Sequence, residues 1–264
     1  MKNNKTALVT GASNGIGFEL AKLLAKDNYN LVLVSRGEEK LEEAKQKLST
    51  YGVEIRTKSS DLSVYEDIEN LKNWVDQNNI DLDILILNAG QGYGGDFVHS
   101  TDLSRELSLI RLNVDSYVHM SKLFLKDMVD KNEGKVLMTS SVSGTTPIPF
   151  EAVYGATKAF VNSFFYAVRN ELKTTNINMT LLMPGGTETN FFKNADMAQT
   201  KIGSMKKDKP EDVAERGYYA LMSGHEYAYG SDDVEYEGDI LNRMQSESQK
   251  AQRHRMISEP SPKS

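Results

Sequence analysis

Short, almost unbroken apolar runs alternate with segments of helical spacing, and this constrains the fold of the chain more tightly than any other feature. Thr6-Ala7-Leu8-Val9-Thr10 has no polar face, and a strand that is apolar on both sides has to be covered on both. Beyond a glycine turn, Ile16, Leu20, Leu23 and Leu24 recur at i, i+4, i+7 and i+8, which is one stripe of a helix. Leu31-Val32-Leu33-Val34 follows directly, so the chain up to Val34 reads as a βαβ unit with a right-handed crossover. The alternation continues through a charged helix over Glu38 to Leu48 and a more polar third strand at Val53-Glu54-Ile55. A helix marked by Ile68, Leu71 and Val75 comes next, with Trp74 as a packing residue, and then further strands at Asp83 to Leu87, Lys135 to Thr139 and Asn178 to Leu182. This order predicts an α/β fold, a single-domain Rossmann-like doubly wound parallel sheet flanked by helices.

Such a sheet binds ligands beyond the carboxyl ends of its strands, and the polar residues of interest fall there. The first strand runs into Gly11-Ala12-Ser13-Asn14-Gly15-Ile16-Gly17. Phosphate approaches backbone most closely where no Cβ intervenes, and the following helix N-terminus offers free amides and the positive end of a dipole. The spacing is G-x-x-x-G-x-G, so the turn predicts a dinucleotide site with a plain βα turn as the competing reading. At the end of the second strand stand Ser35 and Arg36, where an NAD-binding fold usually places an acid for the ribose 2′-hydroxyl. A carboxylate would repel a 2′-phosphate, whereas a guanidinium binds it with a planar fork. Arg36, if it is not simply a solvated surface residue, predicts NADP(H) in preference to NAD(H). Asp61 and Asn88 close the third and fourth strands.

No proline precedes Pro147, which permits long helices over about 101 to 131 and 152 to 174. The first carries Leu103, Leu107, Ile110, Val114 and Val118, with the amide of Asn113 set among them; a buried amide needs a partner or a purpose. The second carries Phe160, Phe164, Phe165, Val168 and Leu172, read as packing against the sheet or a second subunit. At its start Tyr154 and Lys158 are four residues apart and share a helix face. Alone, such a pair is as readily a surface coincidence. Beside a bound cationic ring it could instead bring a phenol, with an ordinary pKa of about 10, into use as a proton donor and acceptor.

The region from 187 to 210 is polar and methionine-bearing, which suits a mobile lid over the site or ordinary exposed helices. Asp239 to Arg255 is expected to be helical with Ile240, Leu241, Met244 and Ala251 on one side, and 257 to 264 to be a disordered tail. One domain over 1–256 is the simplest division, with the lid and a C-terminal helical segment at about 237–256 as its parts. A formal charge of −6 argues against nucleic acid or an anionic membrane as a general partner, and the absence of cysteine excludes disulfides and thiolate catalysis. The start is too short in apolar residues for a signal-peptide core, and no run approaches the roughly 20 needed to span a bilayer; a cytoplasmic protein is expected. The four histidines share no spacing with acids, so no metal is expected.

Taken together, Thr10-Gly-Ala-Ser-Asn-Gly-Ile-Gly17, Asp61-Leu62, Asn88-Ala-Gly90, Asn113, Ser141, Tyr154-x-x-x-Lys158 and Pro184-Gly185 resemble the short-chain dehydrogenase/reductase family. The likeness runs from about residue 5 to 190 and is strongest to its NADP-preferring bacterial members. Ser141, rather than Ser140, precedes Tyr154 by the family's interval. The resemblance implies a catalytic set of Asn113, Ser141, Tyr154 and Lys158. Tyr154 would protonate a carbonyl oxygen as NADPH delivers hydride, Ser141 would hold that oxygen, Lys158 would hold the nicotinamide ribose and lower the phenol pKa, and Asn113 would retain a relay water. It implies cofactor contacts from Gly11, Ser13, Asn14, Ile16, Gly17, Arg36, Asp61, Leu62, Asn88, Gly90, Tyr154, Lys158, Pro184, Gly185, Thr187 and Thr189, with Asn88 on the adenosine ribose side. The substrate pocket is expected from Tyr93, Phe97, Phe150, Val153, Phe191 and Phe192, which suit a moderately apolar ketone or aldehyde. Two departures stand out: Leu87 replaces a first asparagine, and no final strand with a glycine-rich close is evident after Tyr229. A homodimer or homotetramer is expected, the tetramer contact that uses that strand being in question. A 3-oxoacyl thioester reductase is the rival assignment, though no clear basic patch for an acidic carrier is evident. A non-catalytic dinucleotide-binding sensor is the reading from another class, and the presence of both Tyr154 and Lys158 weighs against it.

Overall fold

In the computed structural model, which describes residues 5–197 and 200–259, the apolar runs form one sheet. Its strands are β1 (Thr6–Thr10), β2 (Asn30–Ser35), β3 (Ile55–Ser59), β4 (Ile84–Leu87), β5 (Gly134–Thr139), β6 (Ile177–Met183) and β7 (Tyr227–Tyr229), in the order β3-β2-β1-β4-β5-β6-β7. Every pairing is parallel. Alternate residues serve opposite faces, which is why the sequence shows no polar alternation: Leu8, Val32, Leu85 and Val136 pack into one core layer, and Val9, Leu33, Ile86 and Leu137 into the other. Each fully buried aliphatic side chain contributes about 1.5–3 kcal/mol, so both layers are needed.

The first layer is covered by α3 (Tyr65–Gln77), α5 (Ser116–Asp130) and α6 (Ala152–Glu171). The second is covered by α1 (Gly15–Lys26), α2 (Glu38–Leu48) and α9 (Pro210–Ser223). The order reverses between β1 and β4, and a crevice opens beyond their carboxyl ends at that switch point.

Three expectations are revised. The third strand begins where Val53 to Ile55 was expected to end. Its pairing with β2 sets Leu31 against Ile55 and Ser35 against Ser59, and the edge position tolerates Arg56 and Lys58. The long helix after residue 101 is α4 (Leu103–Ile110), a π-helical turn (Arg111–Asp115) and α5 in continuous succession. Leu103 and Leu107 before the π turn and Val118 after it lie exposed, while Leu109, Leu112, Tyr117, Met120 and Phe124 are buried. A seventh strand, not read in the sequence, stands at Tyr227–Tyr229, its three residues too few for a period-based reading; as expected, none follows it among the described residues.

The C-terminal segment also differs. It comprises α10 (Asp232–Glu235), a π-helical turn (Tyr236–Leu241), α11 (Asn242–Met244), a break, and α12 (Glu247–Ser258), which opens with a capping box at Ser246 and Gln249. Ile240 and Met244 are exposed, and α12 buries Lys250, His254 and Ser258 instead. That i, i+4, i+8 stripe is polar, so apolar periodicity could not find it. Its partners are backbone carbonyls: Lys250 Nζ donates to Thr145 O (3.3 Å) and Ser258 Oγ to Pro149 O (2.8 Å). Residues 257 and 258, expected in a loose tail, therefore belong to a packed helix, while the remainder of that tail from 260 lies outside the described residues. Between β6 and α9 lie two short helices, α7 (Phe191–Asn194) and α8 (Lys201–Ser204), pinned by buried Phe192, Ala195 and Met197. Among the described residues no helix is long and apolar enough to cross a membrane.

Candidate active site

A cavity of about 990 Å³ follows the crevice from Arg36 past the start of α1 and Asn88 to Tyr154 and on to Ile257 in α12, large by the standard of ligand pockets. At its centre Gly11 and Gly15 have φ values of +66° and +58°, which only glycine adopts freely. Gly17 sits so close to the preceding turn that a Cβ there would lie 2.4 Å from Gly11 O and 2.5 Å from Asn88 Nδ2. The turn therefore holds bare backbone and the first amides of α1 against the cavity, as a diphosphate requires. Ser13, Asn14 and Ile16 line it, and Gly17 lies behind them.

At the β2 end Arg36 and Lys40 line the cavity, with Glu38 and Glu39 on the same rim. Ser35 Oγ is buried without a hydrogen-bond partner, an orphan donor at the place where a ribose substituent would sit. Gln91, with its amide oxygen facing the guanidinium, accepts from Arg36 Nη1 at 3.2 Å, so Arg36 reaches across the groove towards β4. Leu62 lines the cavity and Asp61 does not. The Asp61 carboxylate instead accepts from Ser63 N (3.0 Å) and Ser63 Oγ (2.7 Å), shaping the loop that presents Leu62. These features fit a dinucleotide.

Asn88 lines the cavity, but both ends of its amide are engaged. Nδ2 donates to Thr10 O (3.2 Å), and Oδ1 accepts from Thr139 Oγ1 (3.2 Å). Thr10 Oγ1 in turn accepts from Asn88 N (2.9 Å) and Ala89 N (3.0 Å). Asn88 thus ties the ends of β1, β4 and β5 together, a role that motif matching did not disclose. Asn113, within the π turn, is fully buried. Its Oδ1 accepts from Gln91 N (3.0 Å), and Nδ2 donates to Gln91 O (2.8 Å) and Thr157 Oγ1 (3.1 Å). A Cβ on Gly90 would lie 3.3 Å from Asn113 Oδ1 and 3.4 Å from Lys158 Nζ, so Gly90 lets the strand end pass between them.

Ser141, Tyr154 and Lys158 meet on the cavity wall. Ser141 follows β5, accepts from Ser143 N (3.1 Å) and donates to Pro184 O (3.3 Å). Lys158 is buried, and its Nζ donates to Thr139 O (3.1 Å) and lies 5.9 Å from the Tyr154 ring centroid. Burial pushes the Lys158 ammonium down to about 8. It holds the Tyr154 phenol above its ordinary value; the Ser141 hydroxyl pulls the other way, and the carboxyl of Glu151 adds to the rise. In the ligand-free chain burial is thus the largest influence on the phenol, and a bound cationic ring would act against it.

Pro184, Gly185, Thr187 and Thr189 line the opposite wall. Thr189 covers the glycine turn, its Cγ2 2.9 Å from where a Cβ of Gly15 would stand. Of the expected substrate residues, Phe191 and Phe192 line the cavity, and the Phe191 ring packs against Tyr154 at 5.2 Å. Tyr93 and Val153 back that wall in a small cluster with Leu109 and Ile148. Phe97 is 60% exposed and away from the cavity. Phe150, at φ +63°, lies under Arg255 rather than in the pocket. Sequence reasoning missed Glu151, His254 and Ile257, which also line the cavity. Glu151 precedes Tyr154 by three residues and was open to discovery by spacing; the α12 residues were not.

The chain matches the family described as short chain dehydrogenase over residues 5–200. An uncharacterized oxidoreductase of Staphylococcus epidermidis is 32% identical over 219 residues, covering 82% of this chain and 90% of that protein. Very-long-chain 3-oxoacyl-CoA reductase-A of Danio rerio is 34% identical over 217 residues, 80% of this chain and 65% of that longer protein. Among solved structures, a short-chain dehydrogenase from Sphingobium yanoikuyae in complex with NADPH superposes with a TM-score of 0.82 at 25% identity, covering 91% of this chain and 93% of that one. Other structures sharing the fold carry NADP or NAD. With the sheet order, the glycine turn and the Ser141–Tyr154–Lys158 wall, these matches establish that the chain belongs to the short-chain dehydrogenase family and is an oxidoreductase.

Proposed function

We propose that this chain is an NADP(H)-dependent oxidoreductase that interconverts a ketone or aldehyde and the corresponding alcohol. The observation that carries the reading is the meeting of Ser141, Tyr154 and Lys158 on the wall of the cavity that begins at the glycine turn. NADP(H), when bound, supplies or accepts the hydride.

The chain's own residues do the rest. Ser141 Oγ is free to turn from Pro184 O to a substrate oxygen and fix it for attack. Tyr154 gives that oxygen its proton in reduction and takes it back in oxidation. Lys158, oriented by Thr139 O, holds ribose hydroxyls and keeps a positive charge behind the phenol at neutral pH. Asn113 fixes the Gln91 backbone beside Lys158, and a relay water there would complete the proton path. Gly11, Ser13, Asn14 and Ile16 hold the diphosphate with Gly17 packed behind them, Leu62 the adenine, and Gly90, Pro184, Gly185, Thr187 and Thr189 the nicotinamide end. Arg36 binds a 2′-phosphate, assisted by the orphan hydroxyl of Ser35. Phe191 and Phe192 cover the substrate.

The test screens a carbonyl panel with NADPH and an alcohol panel with NADP+, following nicotinamide absorbance. Reduction of at least one ketone or aldehyde is expected, and NADH should be the poorer donor. A 3-oxoacyl thioester substrate is the second reading, favoured by the likeness to the Danio rerio reductase; inclusion of such a thioester decides it. Exposed Val118 and Phe160 on the two long helices suit a homodimer or homotetramer, and light scattering would give the state. The acidic, cysteine-free composition suits the cytoplasm.

A further inference from the structure

The carboxyl of Glu151 has no structural employment. Glu151 stands at the N-cap of α6, yet its side chain makes no capping bond. It is 4% exposed, and burial is the sole influence on its titration, with no hydrogen-bond donor or cation close enough to register. The residue lines the cavity and lies close enough to Tyr154 for its charge to act on the phenol. A buried carboxyl without a donor is costly to keep, and here it sits where substrate must pass.

Among the described residues no cation is hydrogen-bonded or ion-paired to its carboxyl. His254, on the same wall, is pushed down to about 4 by burial and the nearby Arg253, so it is neutral at pH 7. Lys207 is turned to Gly203 O (2.5 Å) and Met205 O (3.2 Å). Glu237, also on this wall, already has Arg253 at 3.2 Å. The side chain of Lys158 is committed to Thr139 O. The cavity that Glu151 lines also presents the apolar side chains of Phe191, Phe192 and Ile257, together with Lys206.

We propose that Glu151 is the recognition group for a cationic substrate: a ketone or aldehyde that carries a protonated amine a few bonds from its carbonyl. The ammonium pairs with Glu151 while the carbonyl oxygen lies between Ser141 and Tyr154, three residues further along the same helix. The short spacing follows because Glu151 stands at the N-cap of the helix whose first turn carries Tyr154, and both line one cavity. Burial pushes the carboxyl up to about 8, so it is mostly neutral when the site is empty, and an incoming cation draws out its proton. This inference rests on the proposed carbonyl–alcohol chemistry for the place of the carbonyl, but its binding component stands apart from turnover.

The experiment uses isosteric ketones that differ in charge: the 3- and 4-isomers of (aminomethyl)cyclohexanone against the matching ethylcyclohexanones. Binding is measured by calorimetry on the protein saturated with NADP+, a state in which a ketone cannot be reduced. The wild type is expected to bind at least one amino ketone about tenfold or more tightly than its ethyl partner, the scale of a charge-assisted bond in a desolvated site. Glu151→Gln should bring that ratio below about twofold, and Glu151→Asp should retain part of it. A wild-type ratio of one or less, or a ratio unchanged in Glu151→Gln, overturns the proposal. Reduction of the same ketones with NADPH is followed in parallel. Selective amine binding without any reduction would leave the recognition role standing and count against the reaction, whereas reduction of ethyl ketones with rejection of the amines would do the reverse.

Discussion

Replacing Asn88 by alanine separates two roles that sequence motifs cannot distinguish. If the side chain chiefly serves a bound ribose, its loss weakens cofactor binding and leaves the empty protein intact. The structure instead commits Nδ2 to Thr10 O and Oδ1 to Thr139 Oγ1, each at 3.2 Å, across three strands at the switch point. Each bond contributes about 0.5–1.5 kcal/mol net, and stranding a buried partner costs about 1–3 kcal/mol. Thr10 and Thr139 are both buried, although Thr139 Oγ1 can turn elsewhere, so a loss of about 2–3 kcal/mol is expected. For a domain of this size that corresponds to a fall in Tm of roughly 4–12 °C. The assay is urea and thermal unfolding with no cofactor present, where the urea midpoint should drop with an unchanged slope. NADPH affinity is then measured under conditions where the variant is folded. A Tm within a degree of wild type, together with a large loss of NADPH affinity, would refute the tie and restore a simple ribose contact.

Three further outcomes follow from the same geometry. Arg36→Asp should weaken NADPH binding by about 1–3 kcal/mol and NADH binding far less; equal losses by calorimetry would remove Arg36 from the 2′-phosphate. Burial lifts Glu151 from 4.5 to about 8, so between those values the folded chain keeps a proton that the unfolded chain has released, and the stability this contributes below 4.5 is lost as pH rises towards 8. The effect approaches 1.4 kcal/mol per pH unit at full slope; Glu151→Gln should flatten the fall in Tm between pH 5 and 7.5, a window in which His254 at about 4 stays neutral and Lys158 at about 8 stays largely charged. Ser258→Ala removes the bond to Pro149 O (2.8 Å) at a fully buried site and should cost about 1 kcal/mol in denaturant unfolding, whereas no change would mean that the end of α12 is not docked.

Much of the architecture is legible in the sequence because the sheet is covered on both faces. Continuous runs such as Leu31 to Val34 and Ile84 to Leu87 have few other folded explanations, and the glycine turn and the Tyr154–Lys158 spacing fall where the topology needs them. The failures have local causes. The stripe Leu103, Leu107 and Val118 is exposed, while the buried face carries Glu106, Asn113 and Ser116 among its apolar residues, so counting apolar residues alone picks the wrong face. The buried face of α12 is Lys250, His254 and Ser258, satisfied by carbonyls distant in sequence, and periodicity carries no trace of such partners. Asn88 lines the cavity, but its partners Thr10 and Thr139 come together only through the strand order. Spacing shows that Tyr154 and Lys158 share a helix face; it does not show that burial raises the phenol pKa.

The central claim is that Tyr154 handles the substrate proton, and Tyr154→Phe tests it most directly. The ring packing against Phe191 is retained, and only the hydroxyl is lost. On any ketone or aldehyde that the wild type reduces with NADPH, the variant should show kcat lower by about 10²–10⁴-fold, the usual reach of a positioned acid, with NADPH affinity within about twofold of wild type. Turnover by Tyr154→Phe at the wild-type rate would contradict the account.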